Sequence, residues 1–204
     1  MKNNDLIQVY LPQIEKFTLV SLLDYSDVDL KHLSLHLVLY CWKIFSNSEI
    51  DKEIDINDLD LLCNPLFVSG IKLPENWKVI RKNVSVEYDI HLTMELRSYP
   101  IDIPYSDSRI EDFYKNRNWS VWTPKEGIYY RNINWEKVAH LEDRSSWNTD
   151  HVYCRLLIEY AKLYPNKLKL VNLDAFVLKY FYRFKIMKSF SEIDIKSRFK
   201  RIEN

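Results

Sequence analysis

The chain has 204 residues, of which 47% are hydrophobic and 28% charged, with a formal net charge of zero. Such usage excludes a disordered polymer, and a chain of this length buries a core without needing disulfides or metal. Only Gly70 and Gly127 are glycines, which excludes a Walker A loop, a GxGxxG dinucleotide loop and a G-x-S-x-G nucleophile elbow.

Residues 5–24 hold Leu6, Val9, Tyr10, Ile14, Phe17, Val20 and Leu23 at helical spacing, with Pro12 starting or kinking the helix. Asp27 or Asp29 caps a second expected helix over 30–46, through Leu33, Leu35, Val38, Trp42 and Phe45. A polar loop over 47–60 then leads to a short helix near Leu59–Cys63, closed by Asn64-Pro65.

From Val84 to Leu96 every even position is apolar and every odd one polar. This period of two predicts a strand over 84–97, with a partner strand over 77–82. The segment 99–104 reads as an extended connector, and a short helix follows at 109–115. Strands over 118–123 and 127–133 form a hairpin, because Pro124-Lys-Glu-Gly127 supplies turn chemistry. Ser146 is read as the N-cap of a helix that ends before Pro165, and Asn172 caps another helix running to about Lys188. The expected fold is one α+β domain over 1–204. It has N-terminal helices in an acidic part (1–70), a small central antiparallel sheet, and C-terminal helices.

Cys41, Cys63 and Cys154 are odd in number, far apart and without a CxxC pair. Neither a disulfide framework nor a thiolate zinc site is expected, and a reducing, cytoplasmic setting fits. No apolar run reaches the ~18 residues of a membrane span, and no cofactor or metal is implied.

Four groups of residues could carry function. Glu87, Asp89, His91 and Thr93 share the polar face of the expected strand, where a carboxylate beside an imidazole could do acid–base work. The triplet His91-Leu-Thr93 resembles the His-x-Thr motif of two-histidine phosphoesterases, and His32-Leu-Ser34 is a second such triplet. The resemblance covers six residues and implies attack on a phosphodiester. Against it stands the plain reading that a sheet shows a polar face to water. His32 and His36, at i and i+4, could chelate zinc, but no third ligand is near in sequence.

Trp119, Trp122, Tyr129, Tyr130 and Trp135 are interleaved with Arg117, Lys125, Arg131 and Arg144. They could form a partner-binding surface, since Trp, Tyr and Arg dominate interface hot spots, or they could pack as the core of the hairpin. Lys179, Arg183, Lys185 and Lys188 lie on the last expected helix and could grip a phosphate backbone, or be a solvated helix face. The absence of catalytic motifs favours a non-enzymatic intracellular protein-interaction protein, such as a toxin-neutralising immunity protein or a phage-encoded inhibitor. The alternatives are a nucleic-acid-binding protein using the basic C-terminal end, and a phosphodiester-acting enzyme using His91 and Thr93.

Overall fold

A computed structural model describes residues 4–25, 37–68, 72–86, 92, 94–98, 118–138, 141–144 and 146–164. The expected helices over 109–115 and 172–188 lie outside these residues.

The N-terminal part is β, not helical. Strands β1 (Asp5–Leu11) and β2 (Lys16–Asp24) pair in register as an antiparallel hairpin. Pro12 sits in the turn between them, where its fixed φ suits a second turn position. Glu15 closes the turn at φ 52°, a left-handed conformation taken here without glycine. Strand β3 (Leu37–Cys41) follows where the second helix was expected. Residues 59–63 carry no α-helix either; a 3-10 turn at Ile56–Asp58 precedes them, and Asp55 caps it by accepting the Asn57 N–H. Strands β4 (Leu66–Val68) and β5 (Trp77–Arg81) complete a five-stranded antiparallel sheet of order β4-β3-β2-β1-β5.

Both faces of this sheet are buried. One face carries Ile7, Val9, Leu11, Val20, Leu22, Leu39, Cys41, Leu66 and Val68, while the other carries Leu6, Leu19, Leu23, Val38, Tyr40 and Phe67. Strands covered on both sides read as continuous apolar runs, and a helix can be fitted to such a run as easily as a strand. That two-sided burial is why the helical reading of 5–24 and 30–46 fails.

The expected strand over 84–97 is also corrected. Among the described residues of this segment, 84–86 form no strand, Leu92 is helical, and the one strand is β6 (Leu96–Ser98). Val84, Met94 and Leu96 all enter the core, packing with the second face of the five-stranded sheet. The apolar members Val84, Met94 and Leu96 are thus buried without sharing one extended element. Strand β5 pairs with β1 instead of with this segment.

Strands β7 (Trp119–Thr123) and β8 (Gly127–Ile133) form the hairpin, with Gly127 at φ 81° in the closing position. A one-turn helix α1 (Trp135–Val138) and the short strand β9 (Glu142–Asp143) follow. These strands build a second sheet of order β8-β7-β6-β9, antiparallel except for the parallel β6–β9 pair. Leu96 and Trp122 of this sheet pack on the first, with the Phe67 and Trp122 rings edge-on at 6.4 Å.

Helix α2 (Thr149–Leu163) is the only helix longer than one turn among the described residues. Its N-cap is Asn148 rather than Ser146: the Asn148 side chain accepts the His151 N–H at 2.9 Å. Val152, Cys154, Leu156, Leu157 and Ile158 cover the first face of the five-stranded sheet. Just before the helix, Trp147 pairs with the β4 edge through its N–H to the Phe67 carbonyl at 2.8 Å. The architecture is mostly β, two sheets with one helix against the larger, and not the α+β fold expected.

Candidate functional site

Glu87, Asp89, His91 and Thr93 lie outside the described residues, as do His32, His36, Lys179, Arg183, Lys185 and Lys188. The aromatic hairpin is described, and its residues divide sharply by exposure.

Trp119 and Trp122 are fully buried. Strand β7 is covered on both faces, so its indoles point into two different clusters. Trp122 faces the larger sheet, whereas Trp119 packs with Val121 and Val138 beneath α1. Arg97 and Arg144 turn toward these rings, while Lys125 and Arg131 are exposed. The buried Arg97 guanidinium lies 5.9 Å from the Trp119 ring and 5.0 Å from that of Trp135, and Arg144 sits 4.6 Å over Trp122. At these distances a ring face stabilises a desolvated cation that would otherwise be costly to bury. Partial burial lowers the pKa of Arg144. Trp135 is half-buried, tilted against Trp119 at 4.9 Å.

The outer edge of the second sheet is different. Tyr130 is 51% exposed, and Arg131 and Asn132 beside it are exposed too. Of Tyr129 the structure describes only the backbone. Strand β8 is an edge strand with two register shifts against β7, and Asn132 adopts φ 59°. Bulges of this kind bend an edge away from indiscriminate pairing and re-aim its side chains. Tyr130 and Arg131 thus lie on a twisted rim over a buried aromatic interior.

A second constellation was not legible in the sequence. Arg155 on α2 reaches Glu142 on β9 at 2.9 Å and Glu159 one helical turn on at 2.8 Å, all three buried. Lys162 adds a 3.2 Å contact to Glu159. Burial disfavours the Arg155 charge, but Glu142 above all, with Cys63 and Glu159, outweighs it and holds the guanidinium above its ordinary pKa. Two carboxylates and two cations balance, so the cluster is a closed ionic lock joining α2 to the second sheet. Helical spacing alone could reveal Arg155–Glu159; nothing local points to Glu142.

Cys41 and Cys63, distant in sequence, are brought together at the same place. The Leu62 N–H donates to the Cys41 carbonyl at 2.8 Å, which places Cys63 next to the end of β3. The neighbouring Cys63 side chain above all, together with burial, pushes the Cys41 thiol well up. Cys154, on α2, is buried in the same apolar cluster. Burial, helped by the Asp150 charge, pushes its thiol from 9.0 up to about 12. The folded state keeps a proton that the unfolded chain releases near 9, so this contribution to stability is whole below pH 9 and is lost as pH rises toward 12. Thermal melts across that window should show Tm falling more gently in Cys154→Ala than in the parent chain. Parallel slopes would place the Cys154 thiol in contact with water.

Among the described residues no group of three or more His, Cys, Asp or Glu side chains could hold a metal ion, and no helix is long and apolar enough to cross a membrane. Comparison with protein-family models, curated proteins and solved structures gives no match.

Proposed function

We propose that the chain is a non-enzymatic, cytoplasmic protein-binding module of the toxin-neutralising or inhibitor type, and that it contacts its partner through the outer face of β8. The observation that carries this reading is Tyr130, half-exposed beside Arg131 on a bulged edge strand, while the neighbouring tryptophans are buried. Tyr and Arg on a rigid support are the side chains that concentrate binding energy, because they bury large area with little loss of rotamer freedom. The self-neutralised Arg155 cluster supports the same reading, since its carboxylates are engaged in ion pairs and not poised for proton transfer.

The test is affinity capture of the tagged chain from lysate, with and without nuclease, followed by binding measurements on the partner retained. Tyr130→Ala and Arg131→Ala should each weaken that complex by about 2 kcal/mol, roughly 30-fold, with the melt unchanged. A complex indifferent to both substitutions removes this face as the contact. A complex that disappears with nuclease transfers the function to nucleic acid and the basic C-terminal residues.

A further inference from the structure

We propose that Cys41 and Cys63 form an oxidation-sensitive dithiol, a modification site that takes a hydroperoxide as its oxidant and closes to an intramolecular disulfide. The backbone holds the two residues together. Trp42 and Leu61 form an antiparallel bridge, and the Cys41 carbonyl accepts the Leu62 N–H at 2.8 Å, so the chain on either side of Cys63 is tied to the end of β3. Both side chains pack in one apolar cluster, on adjacent stretches of chain. Both are free thiols in this structure. Disulfide formation requires sulfurs already facing one another, since bridging distant cysteines would force the backbone to move.

The two thiols differ in access. Cys41 is fully buried, while Cys63 is only half-buried and is the sulfur an oxidant reaches. The Cys63 sulfur attacks one oxygen of hydrogen peroxide, the O–O bond breaks, Cys63 becomes a sulfenic acid, and the departing hydroxide takes up the proton lost by the Cys63 thiol and leaves as water. The Cys41 sulfur then attacks the Cys63 sulfur, its proton leaves with the departing hydroxide as a second water, and the S–S bond forms. Two thiols are oxidised and one hydroperoxide is reduced. Cys154 shares the apolar cluster but sits on α2, outside the backbone bridge that ties Cys63 to the end of β3, and takes no part.

The resulting bond would staple the loop between β3 and β4 beneath Arg155. In a reducing cytoplasm the pair stays open and responds to oxidative stress. The proposal stands whether or not β8 is a binding face.

The test uses the full chain. The folded protein is treated with hydrogen peroxide, denatured, alkylated and digested, and the peptides are weighed. The expected product is a peptide pair linked through Cys41 and Cys63, with Cys154 alkylated and the intact mass lowered by two hydrogens. A product in which Cys63 is oxidised to sulfinic acid while Cys41 is alkylated would overturn the proposal, as would a link to Cys154. Two further measurements avoid dependence on one outcome. In Cys41→Ser the Cys63 sulfenic acid should persist and be trapped by dimedone. In the unmodified chain, phenylarsine oxide, which needs two adjacent thiols, should bind once and be displaced by a small dithiol. Failure of the parent chain to bind the arsenical means that the thiols are not paired.

Discussion

Replacing Arg155 by Met should lower the unfolding free energy by about 3–5 kcal/mol, because it leaves buried carboxylates without the cation that compensates them. Glu142 loses contacts at 2.9 and 3.1 Å, and Glu159 is left with Lys162 at 3.2 Å. Against a total of about 5–15 kcal/mol for an ordinary domain, such a loss brings the chain close to unfolding at moderate temperature. Urea denaturation followed by tryptophan fluorescence measures it. The companion variant is more informative still. Arg155→Met combined with Glu142→Gln and Glu159→Gln removes the unpaired charges, so much of the lost stability should return. If the single variant loses under about 1 kcal/mol, the pair behaves as a solvated surface ion pair and the ionic lock does not exist.

Trp119→Ala should cost about 3–5 kcal/mol, the range for truncating a buried aromatic. The residue is fully buried, lies 4.9 Å from the Trp135 ring, and forms one side of the aromatic surround of Arg97. Its loss opens a cavity and strips a buried cation of part of its solvation. Tyr130→Ala, on the exposed strand next door, should change stability by no more than about 0.5 kcal/mol. The contrast separates interior from rim on a single hairpin. Paired denaturation curves decide it: similar losses for both would mean that Tyr130 is part of the core, and the binding face would have to be sought elsewhere.

A helical 1–70 beside a small sheet leaves little surface to cover Trp119 and Trp122, and they then suggest a partner. A five-stranded sheet buried on both faces supplies that cover for Trp122. For Trp119 it comes from Val138 of α1, together with Ile133 and Leu141. The aromatic and basic residues thus meet each other inside the fold, and the surface role contracts to Tyr130 and Arg131.

Some of this structure was legible residue by residue. Pro124 and Gly127 bracket a turn whose backbone needs are met by few other residues, so the β7–β8 hairpin stands at the expected place. The helix before Pro165 was equally visible, through a cap and a stop, although the cap is Asn148 and not Ser146. The scarcity of glycine excluded the phosphate-cradling loops without any structure. These features are local: each depends on what a few adjacent residues permit. The rest was decided by contacts between distant segments. Burial of β1 and β2 on both faces erases the period that identifies a strand, and burial of Val84, Met94 and Leu96 imitates one although the described residues around them form no continuous strand. Glu142 meets Arg155, and Cys41 meets Cys63, only because sheet pairing and helix docking carry them there. Local chemistry determined where this chain turns and where its long helix stops; the sheets, the ionic lock and the thiol pair depend on what covers each face, which only the tertiary structure decides.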